Sequence, residues 1–249
     1  MKKIIILGGG EIGRPGFPVE TTTIDKETIR LSGKKRPRLL FIPTASSDAD
    51  VYVKTVKKHF GNKLSCNIQT LYTIKHKIRP TEIKKMILSA DIIYVGGGDT
   101  LKMMNIWRKN GIDKLLIQAA KKGAVLSGVS AGAICWFKYG HSDSQKFSNR
   151  KSPFIKVSGL NLYPFLICPH YDSEPARKKS LKIIMQKTKE VAIALDNCSA
   201  LEIINDKYRI IKSKKQANAY RCYWSKNIYH EELIKKSTTF QPITKLSQK

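Results

Sequence analysis

Paired cysteines are missing from this sequence. Its 249 residues include five cysteines, an odd number, and no two of them form a Cys-x-x-Cys pair. A disulfide-stabilised secreted domain needs an even number of cysteines, and a cysteine-based zinc site needs Cys-x-x-Cys pairs. The sequence therefore argues against both. We therefore expect all five to be small buried side chains in a reducing compartment, at Cys66, Cys135, Cys168, Cys198 and Cys222.

A long apolar run is also missing. The first ten residues, MKKIIILGGG, have four strongly apolar residues before the glycines, fewer than a signal peptide or a membrane helix requires. We expect a cytoplasmic protein with no membrane partner. The length suits one large α/β domain or two small ones. No shift in composition marks a boundary, so we predict a single domain at residues 1–225 and a basic, partly mobile tail at residues 226–249.

Acidic residues are scarce. The chain has 19 Asp and Glu against 46 Lys and Arg, a net charge of +27, which raises nucleic acid or an anionic surface as a partner. The cations, however, are mostly scattered lysines, without the aromatic and arginine-rich segments of nucleic-acid readers. A nucleic-acid-binding protein without catalysis is thus kept only as an alternative. No cluster of ligating residues indicates a metal, and we expect no cofactor.

The most informative segment is AVLSGVSAGAICWFK, residues 124–138. It predicts a strand, a sharp turn and a helix, with Ser130 at the turn. Small residues are needed two positions to either side of such a turn, and Gly128 and Gly132 provide them. This is the pattern of a nucleophile elbow, in which the N–H of Ala131 faces a developing negative charge. A plain tight connection fits the same five residues, so the interpretation needs support from elsewhere.

Alternating strands and helices precede this segment. Near-continuous apolar strands followed by helices indicate an α/β fold with a parallel sheet covered on both faces, whose ligands bind at the carboxyl ends of the strands. One such strand ends in Gly96-Gly97-Gly98. We expect an N–H of Gly97 or Gly98 to join that of Ala131 in an oxyanion hole.

Another glycine-rich string, residues 8–13, follows the first strand and matches Gly-x-Gly-x-x-Gly. Pro15 and Pro18 come too soon for a helix to start there, so we reject a dinucleotide site and predict a flexible loop over the active site.

Histidine is rare, with five residues in the chain. The predicted strand 165–170 ends on His170, at the edge where the general base of Ser130 would lie. Residues 139–144, which include His141 and Asp143, read as a polar loop after the helix that follows Ser130.

Together these motifs resemble the peptidase E family of serine peptidases, which are aspartyl dipeptidase-like enzymes related to cyanophycinases and, more remotely, to class I glutamine amidotransferases. The resemblance spans about residues 1–212 and rests on GGGDT, GVSAGAICWF, SDS and CPHYD. It implies a three-layer α/β/α fold with a mostly parallel sheet, of the class I glutamine amidotransferase-like (flavodoxin-like) architecture. It also implies Ser130 as nucleophile, His170 as base, and oxyanion donors at Gly97, Gly98 and Ala131.

The residue that orients the histidine departs from this family. Aspartyl dipeptidase has a glutamate there, and we align that position with Asn197, whose amide cannot stabilise an imidazolium as a carboxylate does. Replacement candidates are Asp143, Asp172, Asp196 and Glu202. We prefer Asp143, since an aspartate in that loop is functionally important in the family and the order Ser, Asp, His is common among elbow hydrolases.

The resemblance predicts a small peptide substrate, a dipeptide with N-terminal Asp, cleaved through an acyl-serine intermediate. Arg177, close to His170 in sequence, is our candidate for the substrate carboxylate. A glutamine amidotransferase-like enzyme is an alternative, although it should carry cysteine at the turn, and so is a cyanophycinase-like isopeptide hydrolase. We expect a monomer or a homodimer.

Overall fold

Two β-sheets form the centre of the protein, for which a computed structural model describes residues 1–248. In chain order, strands β1 to β14 are Lys3–Leu7, Arg38–Ile42, Asn67–Thr70, Ile92–Val95, Val125–Val129, Tyr139–Ser142, Ile155–Ser158, Phe165–Cys168, Val191–Leu195, Ser199–Ile204, Lys207–Lys212, Ala219–Ser225, Ile228–Leu233 and Gln241–Pro242. The first sheet has the order β14-β11-β10-β1-β5-β4-β2-β3, and the second has the order β13-β12-β9-β8-β6-β7.

Eight α-helices accompany the strands within the described residues. Helices α1 to α8 are Thr22–Ser32, Asp50–Val56, Pro80–Ser89, Thr100–Lys109, Ile112–Lys121, Ala131–Ile134, Pro175–Gln186 and Thr244–Ser247. A π-helix, Lys57–Lys63, continues α2, where the sequence predicted one α-helix over residues 48–60. None of the helices in residues 1–248 is both long and apolar enough to cross a membrane.

The first strand shows why the sheet is buried on both sides. All of Ile4, Ile5, Ile6 and Leu7 are inaccessible to solvent. Ile4 and Ile6 belong to one hydrophobic cluster, and Ile5 and Leu7 belong to another on the opposite side, because successive side chains of a strand point to opposite faces. The prediction of a sheet covered on both faces is confirmed for this strand.

The expectation of a mostly parallel sheet needs correction. Within residues 1–248, six strand pairs are parallel and six are antiparallel. The parallel pairs lie in the β1, β5, β4, β2, β3 half of the first sheet and between β6, β8 and β9 of the second. Short connections such as the turn between β10 and β11 require antiparallel pairing, because a parallel pair needs a long crossover. The fold is thus mixed α/β.

Two segments differ from the sequence prediction. Residues 226–248, expected to be a tail, form β13, β14 and α8; β13 pairs with β12 through six residue pairs, and Ile234 and Leu246 are buried. Lys249 lies outside the described residues. Residues 139–142, expected to be a loop, form β6, which buries His141 and Ser142. Polar composition was misleading there, because the hydroxyl of Ser142 finds partners in Thr100 and Ser144.

Candidate active site

Ser130 lies at a sharp turn between β5 and α6. Its backbone has φ 58° and ψ −112°, a strained conformation for a residue with a side chain, of the kind that persists at functional sites. A Cβ on Gly128 would lie 2.6 Å from the carbonyl oxygens of Gly132 and Val95, and one on Gly132 would overlap the Val95 oxygen. Only glycine fits at these two positions, which explains the spacing seen in the sequence.

The glycine loop after β4 lies beside this turn. Strands β4 and β5 are parallel neighbours, so the prediction that the two loops share one edge of adjacent strands is confirmed. A Cβ on Gly97 would lie 3.3 Å from the Cβ of Ser130 and 3.8 Å from its hydroxyl oxygen. Ala131 is the first residue of α6, so its N–H has no acceptor within the helix. The N–H of Gly97 donates to the hydroxyl of Tyr52 at 3.3 Å.

His170 lies two residues after β8, in the second sheet. Its Nδ1 is 2.7 Å from Oδ1 of Asn197, and the backbone N–H of Asn197 donates to Asp172 at 2.9 Å. With the amide oxygen as acceptor, Nδ1 carries the proton and Nε2 is left to accept another. Burial lowers the pKa of His170, and the charge of Arg177 lowers it further, whereas the hydrogen bond to Asn197 raises it.

One cavity joins these groups. It has a volume of about 510 Å³ and is lined by Ser130, His170, Asn197, Gly97 and Gly98, together with residues of the loop after β1 and of α2. Ser130 and His170 are both half-buried. No direct hydrogen bond links these two described side chains, an arrangement that is common before a substrate binds. The neutral imidazole and the hydroxyl nevertheless face the same space, which is what transfer of a proton between them requires.

The structure differs from our preference for Asp143. That carboxylate contacts the guanidinium of Arg177, with 3.8 Å between Oδ2 and Nη2, whereas Nδ1 of His170 is occupied by Asn197. The Arg177 side chain is only 1% exposed and also contacts Glu174 and the ring of Phe154. Arg177 is not among the residues that line the cavity. It is buried because its positive charge is balanced by the two carboxylates.

Neither of the other two acids touches His170. Asp196 accepts the backbone N–H of Asn218 at 2.9 Å, and burial raises its pKa to about 6. Glu202 lies in β10, fully buried, and pairs with Arg209 at 2.6 Å. The side-chain amide of Asn197 therefore holds His170, and Asp172 in turn accepts a hydrogen bond from the backbone N–H of Asn197.

Four polar cavity residues were missed by the sequence analysis. The loop after β1 contributes Glu11, Arg14 and Glu20, and α2 contributes Tyr52. Arg14 donates from Nε to Glu11 at 2.8 Å, and Glu20 pairs with Lys214. A bridge between Ile12 and Val19 folds this loop back on itself. The predicted position of the loop beside the active site was the only available signal.

The cysteines, all within the described residues, form no disulfide. All five cysteines are free and buried. Cys135 lies beyond the turn, its Sγ donates to the Gly132 carbonyl at 3.4 Å, and burial raises its pKa well above the ordinary value. Within residues 1–248, no group of three or more His, Cys, Asp or Glu side chains could hold a metal ion.

Comparison with known proteins gives a consistent match. The model of peptidase family S51 matches residues 4–211. The chain is 34% identical over 225 residues to the uncharacterized peptidase YgaJ of Bacillus subtilis strain 168, covering 89% of this chain and 92% of that protein. It is 25% identical over 200 residues to peptidase E of Shewanella denitrificans, covering 76% and 80%. A crystal structure of a peptidase from an acI-B1 actinobacterium has the same fold, with a TM-score of 0.73, 18% identity and 97% of both chains covered.

Proposed function

Since the chain belongs to peptidase family S51, we propose that it is a serine-type peptidase that cleaves a dipeptide with an N-terminal aspartate. The observation that carries this proposal is the cavity shared by the strained Ser130 and by His170, whose Nδ1 is hydrogen-bonded to Asn197. The expected three-layer, flavodoxin-like architecture, the single domain at residues 1–225 and a cytoplasmic location remain predictions. So do the monomeric or homodimeric state and the absence of a nucleic-acid partner.

The proposed reaction starts at Ser130. His170 takes the hydroxyl proton on Nε2 as the Ser130 oxygen attacks the carbonyl carbon of the aspartyl residue. The resulting oxyanion accepts hydrogen bonds from the N–H groups of Ala131 and of Gly97 or Gly98. His170 then gives its proton to the leaving amine, and water hydrolyses the acyl-serine through the same base.

Asn197 is the proposed third member, in place of Asp143. Its amide oxygen keeps the proton of His170 on Nδ1, so that Nε2 can act as the base. An amide orients the ring without adding the negative charge that would stabilise an imidazolium. Burial lowers the pKa of His170, and the partner of Nδ1 is an amide that carries no negative charge. The imidazole is therefore neutral at neutral pH, as a general base must be.

Arg14 is the proposed contact for the aspartyl side chain, in place of Arg177. Both arginines form ion pairs, Arg14 with Glu11 and Arg177 with Asp143 and Glu174. Arg14, however, lines the cavity and its side chain is 56% exposed, whereas Arg177 is buried outside the cavity. Glu20 lines the same cavity and offers a carboxylate to the substrate ammonium. Burial of Cys135 makes the glutamine amidotransferase alternative less favourable, because its thiol cannot reach a substrate in this cavity.

Hydrolysis of a small panel of dipeptides tests the proposal. We expect Asp-Ala to be cleaved faster than Asn-Ala and β-aspartyl-Ala, and Ser130→Ala to lower kcat/KM by roughly 10³-fold or more. Arg14→Gln should reduce the preference for Asp-Ala over Asn-Ala, while Arg177→Gln should not change it. An unchanged rate in a folded Ser130→Ala variant would reject the mechanism. Cleavage of β-aspartyl-Ala alone would favour the isopeptide hydrolase.

A further inference from the structure

A second cavity lies next to the candidate active site. It also has a volume of about 510 Å³ and is formed by residues 12–19 of the loop after β1, by α2 and by the π-helix Lys57–Lys63. Ile12, Arg14 and Val51 line both cavities. The two cavities are therefore neighbours that share these three side chains.

The second cavity is basic. Four cations line it, namely Arg14, Lys54, Lys58 and Lys63, and no aspartate or glutamate does. Lys58 and Lys63 form no ion pair within residues 1–248. They are five residues apart, the span of one π-helical hydrogen bond, and both line the same wall. Like charges held around a concave surface attract an anion more strongly than the same charges dispersed over a convex one.

A buried histidine also forms part of this wall. His59 lines the cavity and is 2% exposed. Its Nε2 is 2.7 Å from Oδ2 of the buried Asp25, which also accepts from Thr21 at 2.6 Å. The other ring nitrogen, Nδ1, has no partner. Nδ1 itself is buried, so His59 contributes to the shape of the wall and not to its charge.

We propose that this cavity binds the carboxylate of a second acidic residue, which makes acidic dipeptides such as Asp-Glu the preferred substrate class. The proposal rests on the proposed function, because it assigns the aspartyl residue to the cavity of Ser130. The residue on the far side of the scissile bond then reaches the second cavity, where Lys58 and Lys63 provide the charge. Its methylene groups pack against the apolar wall of Ile12, Phe17 and Val51.

Binding of two isosteric dipeptides to the Ser130→Ala protein tests this inference by calorimetry. We expect Asp-Glu to bind about tenfold or more tightly than Asp-Gln, with the difference decreasing as the salt concentration rises. A double variant, Lys58→Gln with Lys63→Gln, should remove that difference and leave the affinity for Asp-Gln unchanged. The control is Lys57→Gln with Lys84→Gln, which removes the same charge outside the second cavity; Lys57 is in the same π-helix but lines a different cavity.

The outcomes are separable from those of the proposed function. Equal affinity for the two dipeptides, no binding of either, or a preference for Asp-Glu that survives the Lys58 and Lys63 substitutions would overturn the inference. Suppose that the unmodified protein hydrolyses both dipeptides at equal rates and that the Ser130→Ala variant hydrolyses neither. This result would overturn the inference while leaving the serine mechanism in place. Hydrolysis that persists in Ser130→Ala would instead reject the proposed mechanism.

Discussion

Substitution of Asn197 by aspartate should move the acid limb of activity to higher pH. In the native protein, burial holds the pKa of His170 below its ordinary value, so the neutral base persists to lower pH than for a free imidazole. Activity that depends on the neutral ring rises with pH through this pKa. A carboxylate in place of the amide oxygen, 2.7 Å from Nδ1, favours the charged ring, and the rise in activity therefore occurs at higher pH.

The size of the shift follows from the geometry. Unit charges about 4 Å apart, at an effective dielectric constant of about 20, attract by roughly 4 kcal/mol, which corresponds to about three pKa units. Desolvation of the new carboxylate offsets part of this attraction, so we expect a net upward shift of about 1 to 2 units. The same charge stabilises the imidazolium that forms during acylation, and kcat on the alkaline plateau should rise about tenfold.

The assay is the pH profile of kcat/KM for Asp-Ala, combined with an NMR titration of His170. The control is Asn197→Leu, which has a similar size but cannot accept a hydrogen bond. That variant should lower the pKa of His170, because it removes the hydrogen bond that raises it, and should reduce kcat. An acid limb that stays in place or moves to lower pH in Asn197→Asp would refute the assignment of Asn197 to the imidazole.

Three further substitutions test the proposed active site. Gly97→Ala should lower kcat about tenfold or more without unfolding the protein, because its Cβ would crowd Ser130 at 3.3 Å; thermal melting and steady-state kinetics check this. Gly9→Ala should abolish activity, because its Cβ would overlap Oδ1 of Asn197; loss of the downfield Nδ1 proton signal of His170 would report the broken hydrogen bond. Cys135→Ala should keep most of the activity, and thiol alkylation of the native protein should not inhibit it, because the thiol is buried and its pKa is raised.

The strands of this fold could be predicted because their burial is visible in the sequence. A run such as Ile4 to Leu7 has apolar side chains at every position, and this requires a cover on both faces of the sheet. The π-helix Lys57–Lys63 could not be predicted, because its composition resembles that of an exposed α-helix. The packing of residues 226–248 was missed because β13, IYHEEL, is mostly polar and lies at an edge of the second sheet.

Ser130 and His170 could be proposed because Ser130 directly follows a buried strand and His170 comes two residues after another. The two strands lie in different sheets, yet both residues line one cavity. The partner of His170 could not be chosen from the sequence. Several carboxylates and Asn197 occur in nearby loops, and which of them reaches Nδ1 depends on loop conformation. The error at Arg177 has a similar cause, since Glu174, three positions earlier at the N-cap of α7, pairs with it while the Arg177 side chain itself is buried. Nothing in the pattern of the loop after β1 indicated that Arg14 faces the cavity.

Detection of an acyl-enzyme tests the central claim most directly. An aspartyl ester with a good leaving group should acylate the protein faster than water releases the product, so a rapid acid quench followed by mass spectrometry of the digest should find the acyl group on Ser130. The adduct should be lost in a His170→Gln variant that is shown by circular dichroism to be folded, because this variant lacks the base. An acyl group on another residue, or continued turnover of Asp-Ala by Ser130→Ala, would contradict the account.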